Sequence, residues 1–556
     1  MNEPRHRCFT DLFFRPSGGT RVAVQDRFAG AVALLSAEEA RRLASCRRFA
    51  TLAAHAARLA ATSGQPIGEL RRELEARAAE GLLISEAALR AEVTRGSEIT
   101  DGGATIRYLG IPTRARPAAL ARLLRSLGDL EGGRRLLVSH CGDVDLPSGV
   151  IGIGPEQRRD YAARLAQRVG ELELLTWALA PSTSGFAAGG SRNALLLAAV
   201  DEPLLMLDDD TLAELQATGS ERPLTITSAS DPTELWFGAQ PSLGSPSSDL
   251  VAWHERLLGR SVAGLIDEAA DLTALDGRFA RRLARGARVI TTQLGLAGDS
   301  GTDSLGHLLL LRGASRQRFL ADEATYEAAW TTRRMIRGVM APTVNDGSGL
   351  MSYCLGIDTR ELIPPVPPVA RNGDGVFGLA LRACRADYAG GWLPVTIRHE
   401  PVERRESSFA ATLAGLTTLG PNDYLGRVIA ALGAPKTADP AAAMRQLGET
   451  LQAMAESAGF AQDLHEIVVA GRSADRRRLE EVLAEHDHEP SHWAQDVRRA
   501  IMEVDASLSG GPPALPEVAE HVARYGRLLR LWPDVVAAAR ELRARGEGLG
   551  AASTGS

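Results

Sequence analysis

A chain of 556 residues, 44% hydrophobic and 24% charged, is too long for one compact core and reads as two to four globular domains. A formal net charge of -6 gives no general reason to expect nucleic acid or an anionic membrane as partner, and apolar stretches such as 195–200 are too short to cross a bilayer. The five cysteines form no CxxC pair, and Lys436, the only lysine, follows no Gly-rich loop, which argues against zinc-sulfur sites, Walker-type phosphate loops and pyridoxal Schiff bases.

In chain order, Glu3 and Asp11 fall where a secretory signal needs an apolar run, so a cytoplasmic protein is expected. RVAVQD and AGAVALL read as two short strands, and Ser36 with Glu39 forms a capping box that opens a helix. Helical stripes follow over 49–61 and in GELRRELEARAAEGLL, where Leu70, Leu74, Ala78 and Leu82 share a face. Residues 1–96 are thus a small α+β unit.

After SEITDGGA the pattern changes to ATIRYLGIP (strand), PAALARLLRSLGD (helix), RRLLVSHCGD (strand), PEQRRDYAARLAQRVG (helix), LELLTWALA (strand), SRNALLLAAV (helix) and EPLLMLDDD (strand). This alternation predicts an α/β domain over 97–405, with a mostly parallel sheet covered by helices and ligands at the carboxyl ends of its strands. From Ser407 strand patterns disappear. Residues 406–556 are expected to be helical, ending in a long amphipathic helix from Glu517 to Arg545 and a disordered GLGAASTGS tail.

The chemistry concentrates where an apolar strand, Leu204 to Leu207, runs into Asp208, Asp209 and Asp210. Three adjacent carboxylates repel one another and gain little unless a cation sits among them, and oxygen ligands suit Mg²⁺ or Mn²⁺. The plain alternative is a solvated acidic turn. Upstream, the helix start at Gly190–Arg192 offers amides and a forked guanidinium to an anion. HDHEPSHW (His486, His488, His492) lacks an HExxH pair and reads as an interhelix turn, and Ser184-Gly185 is not a nucleophile elbow.

Over roughly residues 104–405 these motifs resemble, in order, a GT-A type inverting glycosyltransferase that uses nucleotide sugars. Pro112, Thr113 and Arg114 follow the first strand where that family cups the nucleotide base, and 123–127 is similar to its next helix. Gly189-Gly190-Ser191-Arg192-Asn193 resembles the donor-facing loop and helix start. The resemblance implies a metal on Asp208 and Asp210, Asp209 nearer the sugar, and an acid near the base or ribose at Asp143 (with Asp145 beside it). It also implies that His399 completes the metal shell and that Asp374, at the start of a helix, is the general base. The family more often has two acids where this chain has Gly373-Asp374. The N-terminal unit resembles the winged-helix domains that hold leader peptides for peptide-modifying enzymes, as in pyrroloquinoline quinone biosynthesis.

Together these readings imply a Mn²⁺- or Mg²⁺-dependent transferase with a nucleotide-sugar donor, a UDP-sugar first, and no nucleic-acid partner. The acceptor is a ribosomally made precursor peptide if the N-terminal unit binds a leader. Otherwise it is a glycan, a lipid-linked sugar or a small molecule. A non-catalytic peptide- or nucleotide-binding protein and a nucleotidyltransferase are the rivals.

Overall fold

The structure, a computed structural model, describes residues 3–9, 13–16, 21–95, 102–114, 116–128, 133–181, 187–237, 249–302, 305–403, 407–485, 490–508 and 516–551. It is an α/β protein with a large mixed sheet flanked by helices.

In the N-terminal unit, Phe13–Pro16, Arg21–Gln25 and Val32–Ser36 form an antiparallel meander. The Ser36/Glu39 capping box starts helix Ala37–Ser45 as the sequence predicts. Helices Leu52–Ser63 and Ile67–Ala79 close over Val24 and Leu35 with Leu59, Leu70 and Leu74, a small core of its own. Phe9, Phe49, Leu89 and Val93 belong instead to the core of the central body. The buried Arg7 side chain donates to the carbonyls of Thr273 and Leu275, and Arg90 to those of Asp267 and Ala270. The unit therefore lies along Asp271–Ala274, the edge strand of the large sheet, and satisfies backbone that an open edge would leave bare.

Among the described residues the large sheet has 13 strands. From that edge the path runs Asp271–Ala274, Thr225–Thr227, Thr343–Asn345, Tyr388–His399, Arg288–Asp299, Cys354–Ile357, Leu204–Leu207, Tyr108–Thr113, Arg135–His140 and Val150–Ile153. The last four strands are mutually parallel, the expected βα series. The whole sheet is mixed and not mostly parallel, because Cys354–Ile357 runs against both of its neighbours and further antiparallel strands join beyond it. LELLTWALA also departs from expectation. It is a helix, Leu172–Leu179, that buries Leu174, Leu175, Ala178 and Leu179 on one face. A short apolar run does not reveal its period from hydrophobicity alone.

The C-terminal region is helical as predicted, from Phe409–Thr417 to the long Pro516–Ala544. The connection between Pro421–Leu432 and Pro440–Ala455 exposes Lys436. The tail expected to be disordered is ordered at its start. Leu549 is buried and the Gly550 carbonyl accepts from Arg135, while 552–556 lie outside the described residues. Among the described residues, no helix is long and apolar enough to cross a membrane.

Candidate active site

Several strands deliver their carboxyl ends to one place. All four residues of Leu204–Leu207 are buried, so Asp208 is the first residue free to face solvent. Its parallel neighbour ends at Thr113, and the long parallel pair ends at Asp299 and His399. Cys354–Ile357 runs the other way, so the residues before it, Met351, Ser352 and Tyr353, arrive at the same end. A cleft of about 570 Å³ opens here, lined among others by Pro112, Thr113, Arg114, Arg192, Asp208, Asp210, Asp374 and His399.

The three acids of the triplet have different fates. Asp208 faces the cleft and accepts a 2.7 Å bond from Nη2 of Arg192. Burial pushes its carboxyl up to about 6, the Arg192 charge opposes the rise, and Asp210 and Asp209 add to it. Asp210 presents one oxygen to Nη1 of Arg116 at 3.1 Å and the other to Nε2 of His399 at 3.2 Å. Asp209 turns inward, 1% exposed, and is gripped by the Thr113 hydroxyl and by two nitrogens of Arg116. It is not among the cleft-lining residues. The chain turns here, the Thr211 amide donating to the Asp208 carbonyl at 3.1 Å, and the turn leaves 208 and 210 on the cleft and 209 facing inward.

His399 is 4% exposed, and its Nδ1 lies 2.7 Å from the Asp299 carbonyl. That contact makes Nδ1 the protonated nitrogen and leaves Nε2 a lone pair aimed at Asp210, the arrangement in which a metal-binding histidine is usually oriented. Burial favours the neutral ring, but Asp210 and the Asp299 carbonyl outweigh it and raise the pKa. Two acceptors facing each other over 3.2 Å need a proton or a cation between them. Asp208, Asp210 and Nε2 of His399 therefore fit a hard divalent ion in their chemistry. The fit is one of chemistry and not of arrangement, because among the described residues no group of three or more His, Cys, Asp or Glu side chains is placed to hold a metal ion.

Other residues singled out from the sequence divide in the same way. Arg192 lines the cleft, 8% exposed, and its Nε finds no hydrogen-bond partner among the described residues. Gly190 serves packing, because a Cβ there would lie 2.6 Å from Cδ of Pro181. Asn193 is fully buried and bonds the Ala178 carbonyl and both backbone groups of Val366, so it ties the fold together away from the cleft. Asp143 and Asp145 are exposed beyond the end of Arg135–His140 and do not line the cleft. His492 stacks edge-on against Tyr326. His486, His488 and Ser184-Gly185 lie outside the described residues.

No family model, curated protein or solved structure matches the chain.

Asp374 stands opposite the triplet in the first turn of helix Gly373–Cys384, half-buried. One oxygen accepts from the Gly375 amide at 3.0 Å and the other from the Ser352 amide and hydroxyl at 3.3 and 3.5 Å. The approach to it is held from the C-terminal helices. Trp532 Nε1 donates to the Ile363 carbonyl (2.8 Å), the Tyr525 hydroxyl to Pro365 (2.9 Å), and Asn422 to Val369 and Arg371 (3.0 and 2.8 Å). His521 in turn bonds Asn422 at 2.8 Å, and burial, reinforced by Arg524, lowers its pKa to about 4. Ala370 and Asn372, both with left-handed φ, turn the chain from this strap into the helix.

Sequence reasoning missed Arg116, Arg158, Arg159 and Arg371, which also line the cleft. Arg116 had a signal, two positions past Arg114 in the same loop. Arg158 had none. It sits inside a polar helix, yet is 2% exposed and bonds the Leu179 and His140 carbonyls.

Proposed function

We propose that this protein is a metal-dependent glycosyltransferase that moves a sugar from a nucleotide-sugar donor to an acceptor with inversion. One observation carries the reading. Asp208, Asp210 and His399 meet at the carboxyl ends of the sheet, across an arginine-rimmed cleft from a single carboxylate, Asp374. Mn²⁺ or Mg²⁺ would be held by Asp208, Asp210 and Nε2 of His399, and when bound it supplies positive charge against the departing diphosphate. Arg192 and Arg116 orient phosphate oxygens through forked donors. Asp374 takes the proton of the acceptor as its nucleophilic atom bonds to the anomeric carbon and the bond to the diphosphate breaks. Closeness and alignment in the cleft supply much of the acceleration.

A panel of UDP-sugars with Mn²⁺ tests this, with nucleoside diphosphate release and the anomeric configuration of the product as readouts. Retained configuration, or pyrophosphate released from a nucleoside triphosphate, would refute the reading. UDP binding without turnover on any acceptor would leave a binding protein.

A peptide acceptor is favoured by one further observation. Val32–Ser36 is an edge strand of the N-terminal meander, and its Val32 and Leu34 are 66% and 55% exposed. An extended leader could add there by main-chain pairing, with its side chains on these residues. Leu34→Glu is expected to raise KM for a precursor peptide while leaving donor hydrolysis unchanged. An unchanged KM removes the peptide reading.

A further inference from the structure

Arg116 grips two of the three acids at once. Its Nη1 lies 3.1 Å from Asp210, while Nε and Nη2 both hold Asp209. Asp209 is buried and also bonded by Thr113, so this end of Arg116 has a fixed anchor. The arginine nevertheless remains 44% exposed and lines the cleft. The carboxylate proposed to receive a divalent cation thus already carries a positive neighbour.

Like charges at such separation repel strongly in a partly desolvated site. A cation arriving alone must share Asp210 with the guanidinium or displace it. Either way Asp209 keeps Arg116 at the rim, with Nη1 turned toward the cleft. A diphosphate placed there meets two positive groups and screens each from the other.

We infer that Arg116 is a built-in counter-ion of Asp210 that opposes the divalent cation when it comes alone and makes cation and diphosphate bind cooperatively. Asp209 anchors it. The inference rests on the proposed metal site, and it assigns Arg116 to the diphosphate end of the donor. The linkage is reciprocal, so UDP tightens the metal by the same factor as the metal tightens UDP.

Calorimetric or paramagnetic-resonance titration of the full chain with Mn²⁺, with and without UDP, reads this without turnover. In the wild type, UDP is expected to tighten Mn²⁺ about tenfold or more. Arg116→Gln is expected to bind Mn²⁺ alone about fivefold tighter than wild type, and to gain less than about threefold from UDP. Arg116→Lys keeps the charge and should match wild type for Mn²⁺ alone. If Arg116→Gln melts early because Asp209 is left buried without its partner, the double variant Arg116→Gln/Asp209→Asn removes that charge and should show the same two changes. An Arg116→Gln protein that binds Mn²⁺ no tighter than wild type and keeps the full effect of UDP overturns the inference and leaves the metal site standing. If wild type binds no Mn²⁺ even with UDP, the metal reading fails and the inference with it.

Discussion

Asp208 and Asp210 follow a strand whose four residues are buried, and their side chains are fixed by Arg192, Arg116 and His399, all within the central body. Asp374, across the cleft, takes its hydrogen bonds from Ser352 and Gly375. The strap that leads to it is pinned by Asn422, Tyr525 and Trp532, from the C-terminal helices. One wall is built by the sheet and is dense in charge. The other is assembled from two regions and carries one lightly held carboxylate. The proposed function, in which one wall fixes a diphosphate and the other takes a proton, calls for this asymmetry. The first task wants rigid opposed charges, and the second wants a base held by hydrogen bonds and not locked in a bidentate arginine pair.

The comparison breaks first at the triplet. Asp208→Asn or Asp210→Asn should reduce transfer by on the order of 10⁴-fold or more, with the fold intact and UDP binding no longer responsive to Mn²⁺. Surviving Mn²⁺-dependent transfer in either variant would move the site elsewhere. Asp374→Asn should lower kcat by on the order of 10² to 10⁴-fold and leave the affinity for UDP unchanged. A matching loss of UDP affinity would place Asp374 on the same wall as the triplet and end the comparison.

Smaller effects sharpen it. Tyr525→Phe combined with Asn422→Ala should lower kcat roughly tenfold by loosening the strap, without changing Mn²⁺ or UDP affinity measured by titration. Equal losses on both walls would show that the C-terminal helices stabilise the whole molecule indiscriminately. The smallest effect is in acid. The folded-state pKa of His521 is depressed to about 4, so its contribution to stability is present above the ordinary histidine pKa of about 6.5 and is lost as pH falls from there toward 4. Buried His254, lowered to about 3, acts in the same direction, so the difference between proteins is the readout. His521→Gln should show a shallower fall of Tm over that interval than wild type does. Parallel curves would mean that the ring titrates freely.

The strand-end acids, a helix beginning beside Asp374 (expected near Val376, found from Gly373) and the strand ending at His399 were legible because each depends on a local pattern: an apolar run that stops, a turn before a helix, a period. The inward turn of Asp209 was not legible, since it depends on Arg116, 93 positions away. Nor was the strap. Tyr525 meets Pro365 across 160 positions, and nothing near either residue signals the pairing. Gly190 and Asn193 stand close to the cleft in sequence, but packing and backbone bonding claim them, and residue type alone cannot separate those roles from ligand contact. The mixed sheet escaped for a related reason. A four-residue strand such as Cys354–Ile357 carries no mark of its direction.

The exposed lysine in the connection between Pro421–Leu432 and Pro440–Ala455 makes the molecule separable by chemistry alone. A protease that cuts only after lysine can nick the folded chain at one peptide bond, giving 1–436 and 437–556. That cut leaves Asn422 on one piece and His521, Tyr525 and Trp532 on the other. Whether the pieces travel together on a sizing column then reports how firmly the second wall is bolted to the first. An amine-reactive dye, which besides the N-terminus finds only this lysine, marks the 1–436 piece.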